Sequence, residues 1–169
     1  MERIELNKQA KLSPHFTLGE LCKTSVNSLD GNIPSREVIE NLKRLCPWLE
    51  ELRYTYNSLY CLKPGEDYET SKNVEPIIIT SGYRSHDVNR AVGGAYSSNH
   101  LTGCAVDIRC AGVEQAIRYA AILLDAADDR QEDYDELLIE RNRKGHYWVH
   151  FAVRPQKEGN RRKTMFIQT

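Results

Sequence analysis

No stretch of the 169-residue chain comes near the roughly 18 consecutive apolar residues that a membrane-spanning helix needs, so no membrane span is expected. Met1 to Lys11 is polar and charged and holds no apolar signal-peptide core. The expectation is therefore synthesis in the cytoplasm, with any export by another route. A basic excess is also missing: Lys plus Arg is 23, Asp plus Glu is 24, and the net charge is -1. Proteins that grip nucleic-acid phosphates show such an excess, so nucleic acid is not an expected partner. Cysteine is sparse and unpatterned. The five stand at 22, 46, 61, 104 and 110, an odd number with no CxxC. That favours reduced thiols over a disulfide framework, and no pair has the spacing of a cysteine zinc site. Cys104 and Cys110 flank an apolar stretch and read as small core residues. Repeats, low-complexity tracts and inter-domain linkers are lacking too. One domain over 1–169 is expected, a monomer, with 1–11 and 155–169 as peripheral tails.

What is present is an ordinary globular composition, 40% hydrophobic and 28% charged. Thr17 and Glu20 form a capping box ahead of a short helix with Leu18 and Leu21. Asp30-Gly31 is a turn, and Pro34 suits a first helical position. Val38, Ile39, Leu42, Leu45, Leu49, Leu52, Tyr56 and Leu59 then recur at helical spacing, with Pro47 expected to kink or split the helix. The second half turns to strands. Residues 77–80 (IIIT) and 104–109 read as strands, 113–124 as a helix, and 135–140 and 147–153 as a hairpin around Gly145. A short helix is expected around Val88 to Val92. The fold class is α+β: N-terminal helices packed on a small, mostly antiparallel sheet. The run Arg161-Arg162-Lys163 reads as a solvated end.

Chemistry concentrates in three stretches: residues 81–84 (SGYR), 98–107 (SNHLTGCAVD) and 148–150 (WVH). Neutral imidazole and carboxylate are ligands that zinc accepts, and catalytic zinc keeps three protein ligands and one open position. His100 lies just before a strand and Asp107 on it, and Gly103 between them permits a sharp turn. Strand alternation puts Trp148, His150 and Ala152 on one face and Tyr147, Val149, Phe151 and Val153 on the other. The apolar face suits the core, which leaves His150 facing a cleft with Trp148 as one wall. Blander readings stand beside these. Asp107 also suits a buried carboxylate paired with Arg109 or Arg84, Arg84 a turn cap, Glu140 a solvated strand end and Trp148 a core residue. His15 and His86 read as surface residues. A closed structural zinc would want a fourth ligand, and the strand parity of Cys104 opposes that of Asp107.

The pattern SxHxxGxAxD followed by WxH resembles the zinc D-Ala-D-Ala peptidase family. Its members are peptidoglycan metallopeptidases: D,D-carboxypeptidases, D,D-dipeptidases and phage L-alanyl-D-glutamate endopeptidases. The resemblance begins at residues 12–21 (LSPHFTLGEL), similar to the opening of one branch, and continues through SGYRS, residues 88–108 (VNRAVGGAYSSNHLTGCAVDI) and WVHFAV. It implies one Zn2+ per chain held by His100, Asp107 and His150. It implies a substrate-holding role for Arg84 and a place beside the site for Ser98, with Trp148 as a further substrate contact. It also implies a peptidoglycan or muropeptide substrate cut at a D-amino acid, by a D,D-carboxypeptidase or an L-Ala-D-Glu endopeptidase. A chain without a signal peptide suits a phage or prophage lysin released to the cell wall, or a cytoplasmic enzyme on recycled peptides.

The proton acceptor departs from the simplest pattern of these relatives. Some carry an acidic residue three positions before the last histidine ligand, but here that residue is Tyr147. Others carry a Glu at the end of the preceding strand, in a run like FDQLIxE. Residues 134–140 (YDELLIE) match it, which points to Glu140, with Glu136 in reserve and His146 as a weaker option. Hedgehog-type signalling domains resemble the same family in fold and site, so the alternative is a non-catalytic zinc-site binding module.

Overall fold

In the computed structural model, which describes residues 7–168, Thr17 caps a one-turn helix, α1 (Leu18–Leu21). The capping box is formed: the Thr17 hydroxyl accepts from the Glu20 amide, and the Glu20 carboxylate accepts from the Thr17 amide. The long apolar repeat forms α2 (Arg36–Tyr60), which Ser35 caps through the Val38 amide. The helix therefore begins just after Pro34 rather than at it. Of the kink or split expected at Pro47, the split does not occur. Proline removes one backbone donor there, but Leu45, Cys46, Trp48, Leu49 and Leu52 on either side are buried, and their packing carries the turn.

The remaining elements are β1 (Ile79–Ser81), α3 (His86–Ala91), β2 (Ala105–Cys110), α4 (Val113–Arg130), β3 (Glu136–Arg141), β4 (Tyr147–Ala152) and β5 (Lys163–Gln168). Short 3-10 turns cover Asn99–Thr102 and Gln156–Glu158. The strands form one sheet in the order β1-β2-β4-β3-β5, antiparallel except for the β3–β5 pair. The fold is α+β with a mostly antiparallel sheet, as the sequence implies. Among the described residues, no helix is long and apolar enough to cross a membrane.

The sheet has two unlike faces. Val106, Ile108, Leu137, Val149 and Phe151 are fully buried in the core that α2 and α4 cover. Trp48 of α2 meets Phe151 of β4 with ring centres 5.2 Å apart. Each fully buried side chain of this size contributes roughly 1.5–3 kcal/mol. The other face carries Asp107, Glu136, Leu138, Glu140, Trp148 and His150. All five cysteines are free, and burial pushes the thiols of Cys22, Cys46 and Cys110 up to about 12, 11 and 12.

The C-terminal segment departs from the solvated end expected of it. Residues 163–168 add β5 alongside β3, and Arg161 pairs with Asp135 and Glu136 while Arg162 pairs with Asp128 and Asp133. At the other terminus, residues 1–6 of the expected tail lie outside the described residues. Lys11 bridges to Thr17, and Leu18 donates to the Ala10 carbonyl.

Candidate metal centre

Register builds the site. His150 on β4 sits directly across from Asp107 on β2 and from Leu138 on β3. Glu136 and Glu140 lie two residues to either side of Leu138, so they flank His150 diagonally on the same face. His100 arrives from the 3-10 turn ahead of β2. Gly103 ends that turn at φ 71, and a Cβ there would press within 2.9 Å of the Val38 side chain and carbonyl. The sharp turn that brings His100 back over Asp107 thus depends on glycine.

The three candidate ligands converge. His100 Nε2 lies 3.3 Å and His150 Nδ1 2.9 Å from the same Asp107 oxygen, Oδ1. One ligand atom from each residue falls within 4.8 Å of the others. All three side chains are buried, at 2%, 8% and 7% exposure. The opposite nitrogen of His100, Nδ1, donates to the Gly82 carbonyl at 2.6 Å. A carbonyl only accepts, so the proton sits on Nδ1 and the Nε2 lone pair points into the cluster. Gly82 is itself constrained, since a Cβ there would lie 2.1 Å from the Leu21 carbonyl oxygen.

Charge fits a dication as well as geometry does. Burial alone would raise the Asp107 carboxyl, but the rings of His100 and His150 outweigh it and hold it far below the usual range. Burial opposes a charge on His150, yet Asp107 and Glu136 push that ring up to about 9. The His150 ring beside Glu136, and then Arg161, hold the Glu136 carboxyl down to about 2. Burial, with Asp107 nearby, pushes the Glu140 carboxyl up. Two imidazoles surrounded by three carboxylates make a site that favours positive charge, and the donor set is one that zinc accepts.

The other expected residues fall around this cluster, lining a cleft of about 700 Å³ together with the ligands. Arg84 is in place, but two of its nitrogens are already taken. Nη2 donates to Asp107 Oδ2 at 2.6 Å and Nε to the Ser81 hydroxyl at 2.8 Å. The Arg84–Asp107 pair, an alternative to metal binding in the sequence, therefore exists alongside the cluster, on the other carboxylate oxygen. Ser98 lines the cleft and caps the His100 turn. Trp148 is half-buried in the cleft wall, on the His150 side of β4 rather than in the core. Glu140 lines the cleft and makes no hydrogen bond or ion pair among the described residues. His146 is exposed in the hairpin turn and does not line the cleft. His86 is exposed, and His15 is exposed but paired with Glu50.

A polar network beside His150 escaped the sequence reading. Asn99 donates to Asp135 Oδ2 at 2.7 Å and to Glu136 Oε2 at 3.1 Å, and accepts from Arg154 Nε. Asn99 was visible inside the SxH motif. Arg154 carries no pattern that would have singled it out, and Arg161 stood out only as part of a basic run with nothing to tie it to the site.

The fold and site define a His/Asp/His candidate metal centre open to a cleft. The model of the family described as Peptidase M15 matches residues 66–146. That stretch holds Arg84, Ser98, His100, Asp107, Glu136 and Glu140 and ends before His150. It supports the M15 peptidase family and, with the His/Asp/His cluster, a metallopeptidase. No curated protein matches the chain.

Proposed function

We propose that the chain is a zinc-dependent M15 peptidase that hydrolyses peptidoglycan stem peptides at a D-amino acid. The observation that carries this reading is the convergence of His100 Nε2 and His150 Nδ1 on one oxygen of Asp107, inside an open cleft. When bound there, zinc supplies Lewis acidity and a water made acidic enough to lose a proton near neutral pH. The protein's own groups do the rest. Glu140, open to the cleft and unpaired, takes the proton of the attacking water and passes it to the leaving amine. Arg84 holds Asp107 in place and leaves Nη1 for a substrate oxygen. Ser98 and Trp148 shape the wall along which the peptide lies.

Mass spectrometry of purified muropeptides after incubation with the zinc-loaded protein tests this. Loss of a terminal D-Ala marks a carboxypeptidase, and release of a D-Glu-led peptide from the L-Ala-bearing glycan marks an endopeptidase. Zinc binding with no cleavage of any stem type replaces the reading with a non-catalytic binding module.

Arg84→Lys is expected to be severe despite keeping the charge. One ammonium cannot span Ser81 and Asp107 as the guanidinium fork does. At saturating zinc, kcat/KM should fall roughly 10- to 100-fold with zinc still bound. Near-native kcat/KM in Arg84→Lys would show that the fork is dispensable.

A further inference from the structure

We infer that the C-terminal strand completes the metal centre: Arg161 and Lys163 are positioning residues that hold Glu136 against the outer nitrogen of His150. The inference rests on the metal reading of His100, Asp107 and His150, not on the substrate.

The two histidines are treated unequally by the fold. His100 has its outer nitrogen on the fixed Gly82 carbonyl. His150 turns Nδ1 to Asp107, while its Nε2 is buried and makes no hydrogen bond. The carboxylate beside that nitrogen is Glu136, whose Oε2 lies 3.3 Å away but out of hydrogen-bonding alignment. A metal-binding imidazole is oriented by an acceptor on its other nitrogen, so where Glu136 stands decides how His150 presents Nδ1.

Glu136 does not stand there unaided. Its Oε1 is gripped by Arg161 Nη2 at 3.0 Å and faces Lys163 Nζ at 3.4 Å. Both cations act on one oxygen, which leaves Oε2 to Asn99 and His150. Arg161 is aimed in turn by Asp135, a fully buried carboxylate that accepts from Arg161 Nε at 2.8 Å and Nη2 at 2.7 Å. The parallel register pairs Glu136 with Lys163, so forming β5 is what brings Lys163 to the carboxylate. Both cations lie beyond the family-matched stretch, which ends at residue 146. They line the cleft, yet the side-chain bonds they make run to Asp135 and Glu136, which argues for a bracing role over capture of a substrate anion.

The test measures zinc affinity of the full-length protein by competition with a chromophoric chelator at constant pH, beside thermal melting of the apo form. Glu136→Ala should raise the zinc Kd roughly 10- to 100-fold, the usual effect of losing such a partner. Arg161→Gln and Lys163→Gln should each raise it by several-fold. In the Glu136→Ala background, either substitution should add nothing, because both act through Glu136. Arg161→Gln also unties Asp135 and lowers apo melting. Among the described residues the Lys163 side chain bonds only Glu136, so Lys163→Gln is the cleaner variant. A Glu136→Ala protein within about twofold of native affinity overturns the inference. So does a loss from Lys163→Gln that persists in full without Glu136. No substrate enters the assay, so failure to cleave muropeptides leaves its result standing. A native protein that binds no zinc overturns the metal reading and this inference together.

Discussion

Replacing His150 by alanine is expected to abolish peptidase activity and to leave zinc far below one per chain. Among the described residues His150 is one of three convergent donors, and it is buried where no solvent ligand replaces an imidazole at equal affinity. His100→Ala and Asp107→Ala should behave alike. The fold should survive, because none of the three ligands belongs to the apolar core between the sheet and α2–α4. The same argument applies to chelation. Asp107 stays tied to Arg84 in the absence of metal, so no buried charge is orphaned when zinc leaves. The apo protein should keep a cooperative thermal transition while losing all turnover. Metal analysis that finds full zinc in purified His150→Ala protein would remove the ligand assignment. Loss of the cooperative transition on chelation would instead make the metal part of the fold.

The convergence of the three candidate ligands was legible because each depends on local pattern. Gly103 marks the turn after His100, and period-two alternation assigns Asp107 and His150 to a polar face without knowledge of strand order. The sheet was legible for the same reason wherever one face is apolar. Local pattern failed where long-range packing decides. At Pro47 the buried neighbours of α2 keep the helix from splitting, and nothing within a helical window reveals that burial. β5 failed differently. It is an edge strand paired in parallel, and Thr164, Met165 and Phe166 in its middle are all exposed, so it shows no alternation to read. Missing β5 also hid Arg161 and Lys163, and with them the partners that separate the two glutamates of β3. Glu136 and Glu140 share a strand, a parity and a charge. Only the register and the cations beyond it show that one is tied down and the other is not.

That difference gives the comparison with the largest effect on rate. Glu140→Gln is expected to bind zinc and substrate normally and to lose roughly 100- to 10,000-fold in kcat, the usual worth of a positioned acid-base group. Glutamine keeps the volume and polarity of Glu140 but cannot take a proton. Glu136→Gln should act elsewhere. Its amide oxygen can still face His150 Nε2, while the ion pairs to Arg161 and Lys163 are lost, so zinc affinity falls and saturating zinc restores most of the rate. The geometry favours this order. Glu136 has both carboxylate oxygens engaged by Asn99, Arg161 and Lys163, whereas Glu140 faces the cleft with neither oxygen engaged among the described residues. A proton shuttle has to gain and release a proton within one turnover, and a carboxylate braced by two cations resists protonation. The two variants should be compared at equal, saturating zinc, with kcat as the readout. A dead Glu136→Gln beside an active Glu140→Gln would exchange the roles of the two residues. Full activity in both would move the acid-base group off β3 altogether.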